Sequence, residues 1–225
     1  MPLPPPRVPR LLMKVWDAPT RLFHWAVVLL VICSYVSQAL NRMNLHMLFG
    51  YTMLTLLLFR LTWGFVGSDT SRFSRFLTDP IEGLRHLAQF ARREPDTEIG
   101  HNAAGGWMVL LMLLDLFVQV GTGLFSNDDV LTKGPLAHLV SKKTSDELSL
   151  IHSVNFYVLL GLIALHILAI LAYAAVKRQD LVRPMVTGKK RLPAATRQPR
   201  LASPALAVVV LACAAVLVWA LVSFA

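Results

Sequence analysis

Four of the seven histidines, His24, His46, His152 and His166, lie in or at the edge of long apolar stretches. Ionisable side chains at membrane depth are costly, and they mark functional sites by default. His152 and His166 share one stretch, LSLIHSVNFYVLLGLIALHILAIL, fourteen residues apart. At about 100° per residue, that spacing returns them to within roughly 40° of a common face, about 21 Å apart along a helix axis. A single helix thus offers one imidazole toward each of its ends, both facing one interior. Such groups are open to metal or haem ligation, to proton relay, or to hydrogen bonding inside a core.

The elements that must position them follow from composition. The chain has 225 residues, 55% hydrophobic and only 16% charged, well outside the usual composition of a soluble domain. Windows long enough to cross a hydrocarbon core, about twenty apolar residues, occur at roughly 22–40, 46–66, 104–125, 150–174 and 205–224. The expected fold is an all-α integral membrane protein. It forms one helical bundle built from these five spans. Residues 1–13 read as a disordered, basic, Pro-rich arm, 14–190 as the four-helix domain, 191–204 as a basic linker and 205–225 as the extra helix.

The net charge of +9 does not point to nucleic acid. Segments 1–21, 67–103 and 175–204 hold 17 of the 22 Lys and Arg residues, whereas the intervening loops hold only Arg42, Lys133, Lys142 and Lys143. The positive-inside rule then places the N-terminus in the cytoplasm, the 41–45 and 126–149 loops outside, and the C-terminus outside. The implied location is a cytoplasmic membrane crossed several times. Cys33 and Cys213 sit in apolar spans and form no CxxC or CxxCH pattern, so any haem is non-covalent and no disulfide framework exists. Ser37 and Ala39 imitate a signal-peptide cleavage site, but cleavage there would discard His24.

Along the chain, Asp17 is placed to cap the first helix, with Pro19 in its first turn. Trp16 and Trp25 suit an interfacial aromatic belt. The short LNRMN connection makes the first two helices antiparallel neighbours. In the polar 67–103 segment, PIEGLRHLAQFARR has helical periodicity and reads as an amphipathic loop helix rather than one lying on the membrane surface. Gly105, Gly106, Gly121 and Gly123 on the third span allow a neighbouring backbone or a bulky cofactor to come close. The acidic 126–149 loop carries Asp128, Asp129, Asp146 and Glu147. The last span has no ionisable group and reads as an anchor or packing helix.

Helix direction sets depth. His24 lies near the cytoplasmic side with His166, and His46 near the outer side with His152. Two stacked imidazole pairs are the requirement of two six-coordinate b-type haems, an inner one held by His24 and His166 and an outer one by His46 and His152. With both axial positions filled, such iron carries electrons and does not bind oxygen. A zinc site is disfavoured, because zinc gathers three or four ligands at one point. Arg21, one turn before His24, and Arg60, fourteen residues beyond His46, are suited to haem propionates; the alternative is that both snorkel to headgroups. Gly50, one turn after His46, leaves room for a macrocycle edge. Asp115 lies mid-span with Gln119 one turn on and is a candidate proton relay. His86, His101 and His138 are loop residues expected to be solvated, with His101 the one near the inner haem.

The stretches KVWDAPTRLFHW and LHMLFGYTMLTLLLFRLTWGFVG, together with the His152/His166 pair, resemble the bacterial cytochrome b561 family, the group that includes the b-type cytochrome subunits of Ni,Fe-hydrogenases. The resemblance spans roughly residues 14–190. It implies a four-helix bundle, two non-covalent haems b with His24, His46, His152 and His166 as axial ligands, and electron exchange between quinone and a second redox partner. The fold expected on this resemblance is a four-helix transmembrane bundle binding two haems, plus a fifth C-terminal transmembrane helix at 205–224 that departs from the four-helix pattern. The expected partners are membrane lipid, the quinone pool and a periplasmic redox protein such as a c-type cytochrome, with homodimerisation left open. Alternative readings are a superoxide oxidase feeding quinone, or the cytochrome b anchor of a hydrogenase or other dehydrogenase. A non-redox transporter or assembly factor would show broken helices or half-repeats, and neither is present in the sequence.

Overall fold

A computed structural model describes residues 9–89 and 96–224. Five of its helices are long and apolar enough to cross a membrane. They are α1 (Ala18–Ala39), α2 (Met43–Val66), α5 (Ala103–Phe125), α6 (Lys142–Ala172, extended by a π-helical turn Tyr173–Lys177) and α8 (Pro204–Ser223). Three short helices, α3 (Phe73–Phe76), α4 (Pro80–Ala88) and α7 (Val182–Thr187), lie at one end of the bundle. Leu22, Leu29, Leu168, Val208 and Trp219 are among many large apolar side chains left exposed on the long helices. Lipid rather than protein must cover them, and a helix tolerates that because its backbone groups are satisfied internally.

Local chemistry explains the helix limits. The Asp17 carboxylate accepts the Thr20 amide at 2.7 Å, with proline in the first turn of α1. Asn41 turns the chain between α1 and α2 with φ 58°, a left-handed conformation that asparagine adopts more readily than most residues. Asn102 caps α5 and Ser203 caps α8. Ser141 caps α6 by accepting the Thr144 amide, so α6 begins eight residues before the span expected from residue 150. The polar run KKTSDELS continues the helix because Lys142 pairs with Asp146 one turn on.

α2 is central and packs on α1, α5 and α8. The fifth helix lays Ala207, Ala214 and Val218 against α2; small side chains allow the close approach that membrane packing relies on. α6 packs extensively on α5 but has no broad backbone contact with α1 or α2. Side chains bridge that opening: Leu159 shares a core cluster with Met53 and Leu57 of α2, and aromatic rings join it. Tyr35 stacks on Phe156 with ring centres 5.5 Å apart, and the two histidine pairs lie above and below.

Several expectations are corrected. Met1–Val8, the larger part of the expected arm, lie outside the described residues, but Arg10–Lys14 form β1. This strand pairs antiparallel with β2 (Lys189–Pro193), with Arg10 opposite Pro193 and Lys14 opposite Lys189. The proposed linker therefore starts as a strand. The strand pair covers Val15, Trp16 and Leu192, all buried, so Trp16 is a core residue and only Trp25 is half-exposed. The helix expected from PIEGLRHLAQFARR is α4 to Ala88, and residues 90–93 lie outside the described residues. Ile81, Leu84 and Leu87 form an uncovered apolar face on α4, which fits a membrane-surface helix better than an ordinary loop helix.

Candidate functional site

The four histidines form two separate pairs. His24 on α1 and His166 on α6 have ring centres 6.4 Å apart at 53°; His46 on α2 and His152 on α6 are 6.2 Å apart and perpendicular. Metal–imidazole bonds of about 2.0–2.1 Å on either side of one ion, plus about 1.1 Å from nitrogen to ring centre, put two opposed rings roughly 6.3 Å apart. Both pairs match that spacing. Among the described residues, no three His, Cys, Asp or Glu side chains gather at one point.

Hydrogen bonds orient the second pair. His46 Nδ1 lies 2.9 Å from the Ser34 carbonyl, and His152 Nδ1 lies 2.8 Å from the Gln119 carbonyl. A carbonyl only accepts, so each Nδ1 carries the proton and each Nε2 keeps its lone pair. A backbone carbonyl on the far nitrogen is the usual support of a metal-binding imidazole. Gly123 makes the His152 arrangement possible, because a Cβ there would stand 2.9 Å from the ring. Beside this pair lies a cavity of about 470 Å³ lined by Gly50, Met47 and Phe156 and reaching Asp128 in the loop after α5. Cofactor sites commonly occupy about 300–1,000 Å³. Gly50 faces open space, as do Gly121 and Gly161.

The first pair is surrounded by buried donors. His24 Nδ1, Arg21 Nε, Arg60 Nη1 and His101 Nδ1 are buried and lack a hydrogen-bond partner among the described residues. Arg60 is 2% exposed and lies over the rings of Phe73 and Phe76 at 5.0 and 6.0 Å, so it does not snorkel. Arg21 is half-buried and donates from Nη1 to the Val186 carbonyl at the end of α7. His101, expected to be solvated, is wedged between Trp16 and Phe76 with ring centres 4.7 and 4.9 Å away. Burial lowers its pKa to about 3, helped by the charges of Arg60, His166 and His24. His86 is not free in solvent either: its Nε2 lies 2.8 Å from the Tyr173 hydroxyl, which also accepts from Asn102. His138 is exposed, as expected.

The end carrying His24 is held by Asp17. That carboxylate is 3% exposed and accepts from the Thr20 amide, from Trp63 Nε1 at 3.2 Å and from Ser71 Oγ at 3.1 Å. It therefore ties the start of α1 to the end of α2 and the turn beyond. Asp115 is 8% exposed on α5, and its Oδ2 has no partner among the described residues. Asn155 donates both to the Asp115 carbonyl at 3.1 Å and to Gln119 Oε1 at 2.9 Å. A polar stripe thus runs along α5 from Thr122 through Gln119 to Asp115. Sequence reasoning missed Asn155, although a polar residue one turn from His152 on a membrane helix was a usable signal. Ser34 acts through its carbonyl and left no side-chain signal.

The fold and the paired imidazoles define a multi-pass membrane protein with two stacked candidate cofactor sites. Residues 15–188 match the family model of prokaryotic cytochrome b561. The match covers most of the chain, which belongs to that family. It is accordingly a transmembrane b-type cytochrome of electron transfer, and cytochromes of this family bind b-type haem. No curated protein and no solved structure matches the chain.

Proposed function

We propose that this chain is a diheme carrier that moves electrons across the bilayer between the quinone pool and a periplasmic redox protein, a c-type cytochrome being the expected partner. The observation that carries the reading is the pair of opposed imidazole couples at about 6.2 and 6.4 Å in a gap that α6 leaves against α1 and α2. His24 and His166 would hold one haem, and His46 and His152 the other. Bound haem supplies reversible one-electron chemistry, and two axial histidines leave no open iron position. The unpartnered Arg60 and Arg21 nitrogens and His101 Nδ1 are suited to propionates at the first site, and the open space at Gly50 to a macrocycle edge at the second.

The charge asymmetry of the loops supports an inner-membrane placement with the N-terminus cytoplasmic and the C-terminus periplasmic. The His46–His152 site then faces the periplasm. The acidic loop there is partly neutralised, because Lys142 bridges Asp129 and Asp146. Asp128 stays acidic: the Thr132 and Val130 amides on its carboxylate lower its pKa to about 2. Such a surface steers a basic partner more than it holds one. Asp115 is assigned a proton-relay role at the head of the polar stripe on α5.

A haem determination with a reduced-minus-oxidised spectrum tests the reading. The expected result is about two haems b per chain with low-spin bis-histidine bands. A folded protein that takes up no haem overturns it. Stopped-flow reduction by quinol, and reoxidation by a c-type cytochrome, tests the direction and the partner. A further expectation concerns Gly123→Val. The added side chain displaces the His152 ring and breaks its bond to the Gln119 carbonyl, weakening cofactor binding there by about 10–100-fold. The His24–His166 site stays loaded, and haem titration of the apoprotein reads the difference.

A further inference from the structure

A cleft of about 590 Å³ at the His24–His166 end lies outside both histidine pairs. Its walls are the turn and short helix after α2, the segment leading into α5, and the stretch leading into α8. Three membrane helices end or begin just beside it, at Val66, Ala103 and Pro204, so it sits at headgroup depth. Among the described residues, Arg72, Arg75, Arg197 and Arg200 line it against two acids, Asp69 and Glu98. Among the described residues none of these arginines forms an ion pair. Arg72 Nε donates to the Gly67 carbonyl, and the Asp69 carboxylate is engaged by the Arg200 amide at 3.0 Å.

We infer that this cleft binds a phosphate group, supplied by the headgroup of an anionic phospholipid. Guanidinium forks match phosphate oxygens two at a time, and basic pockets between membrane helices are the places where such headgroups seat. The arginines come from two parts of the chain, 72–75 after α2 and 197–200 before α8. Hydrogen bonds already link those parts, the Arg200 amide on the Asp69 carboxylate among them. The Asp69 amide donates to the Arg200 carbonyl at 3.0 Å, and the Ala202 amide donates to Ser68 Oγ at 2.9 Å. A shared phosphate joins them across the cleft and fastens the fifth helix to α2. This inference does not rest on the haem reading, although His101 lines the cleft as well as standing near the first histidine pair.

The test uses the full-length protein in vesicles of phosphatidylcholine with or without phosphatidylglycerol, followed by native mass spectrometry of the retained lipid. Inorganic phosphate alone is titrated in a parallel arm, read by thermal shift. Each arginine near an anionic lipid contributes about fivefold in affinity, so Arg197→Ser with Arg200→Ser lowers phosphatidylglycerol retention roughly 30-fold. Arg178→Ser with Arg183→Ser, away from the cleft, leaves it unchanged. Arg197→Lys with Arg200→Lys, which keeps the charge and the fold, separates fork recognition from general attraction by an intermediate loss. A thermal response to phosphate that the serine pair abolishes, without selective lipid retention, assigns the same site to a soluble phosphate. Equal lipid retention in parent and serine variants, with no phosphate response, overturns the inference.

Discussion

On the proposed diheme reading, replacing His166 with alanine is expected to remove one haem and to leave the other in place. His24 then faces an empty space instead of a second imidazole 6.4 Å away. A lone axial ligand in that position cannot keep a six-coordinate iron. The His46–His152 pair lies about 21 Å further along α6, taking fourteen residues at 1.5 Å each, and its orienting bonds to Ser34 and Gln119 do not involve His166. The haem-to-protein ratio therefore falls to about half, and the remaining bands keep their low-spin bis-histidine form. His152→Ala gives the complementary loss, with the haem near Arg60 and His101 retained. If the His166 protein instead lost the haem near His46, the pairing across the bundle would be wrong. If exogenous imidazole restores the missing bands in a His166→Gly protein, the loss is one of ligation and not of folding.

The second large effect is expected at Asp17, which holds together the end of the bundle that carries His24. Asp17→Ala removes three hydrogen bonds to a carboxylate that is 3% exposed. It also removes a negative charge that favours the buried Arg60 guanidinium electrostatically without pairing with it. Leaving the buried Trp63 indole N–H without its acceptor costs about 1–3 kcal/mol, and losing the helix cap adds about 1 kcal/mol. Unfolding of the detergent-solubilised protein should therefore shift strongly to lower temperature or denaturant concentration. Asp17→Asn, which keeps the cap but not the charge, should fall between the two. Adding Arg60→Met to Asp17→Ala recovers part of the loss, since the uncompensated cation is gone. An Asp17→Ala protein as stable as the parent would show that the start of α1 is held by something else.

These two sites differ in how far they could be read before the structure. Helix periodicity alone placed His152 and His166 on one face. Loop charges gave each helix a direction, and direction gave each histidine a depth. That reasoning is local, because a helix satisfies its own backbone and its residues face where 3.6 residues per turn sends them. The Asp17 cap was local in the same way. Its grip on Trp63 and Ser71 was not, since those partners lie 46 and 54 residues away. The strand pairing of Lys14 with Lys189 was more distant still. A five-residue strand has no identity until its partner is found, and a basic, Pro-rich opening hid it. His101 and Trp16 were misjudged for the same reason: they are buried by the structure that this pairing builds.

By itself, the sequence determined five helices long and apolar enough to cross a membrane and singled out the four histidines that the structure brings together in pairs, because hydrophobic length and helical period are properties of contiguous residues. Only the tertiary structure decided which groups lie against those histidines. It put the Ser34 and Gln119 carbonyls behind two of the rings and buried Arg60 rather than sending it to the surface. It also let Gly123 approach His152, and seated α8 on α2. Each of these is a contact between segments distant in the chain, set by how the helices pack.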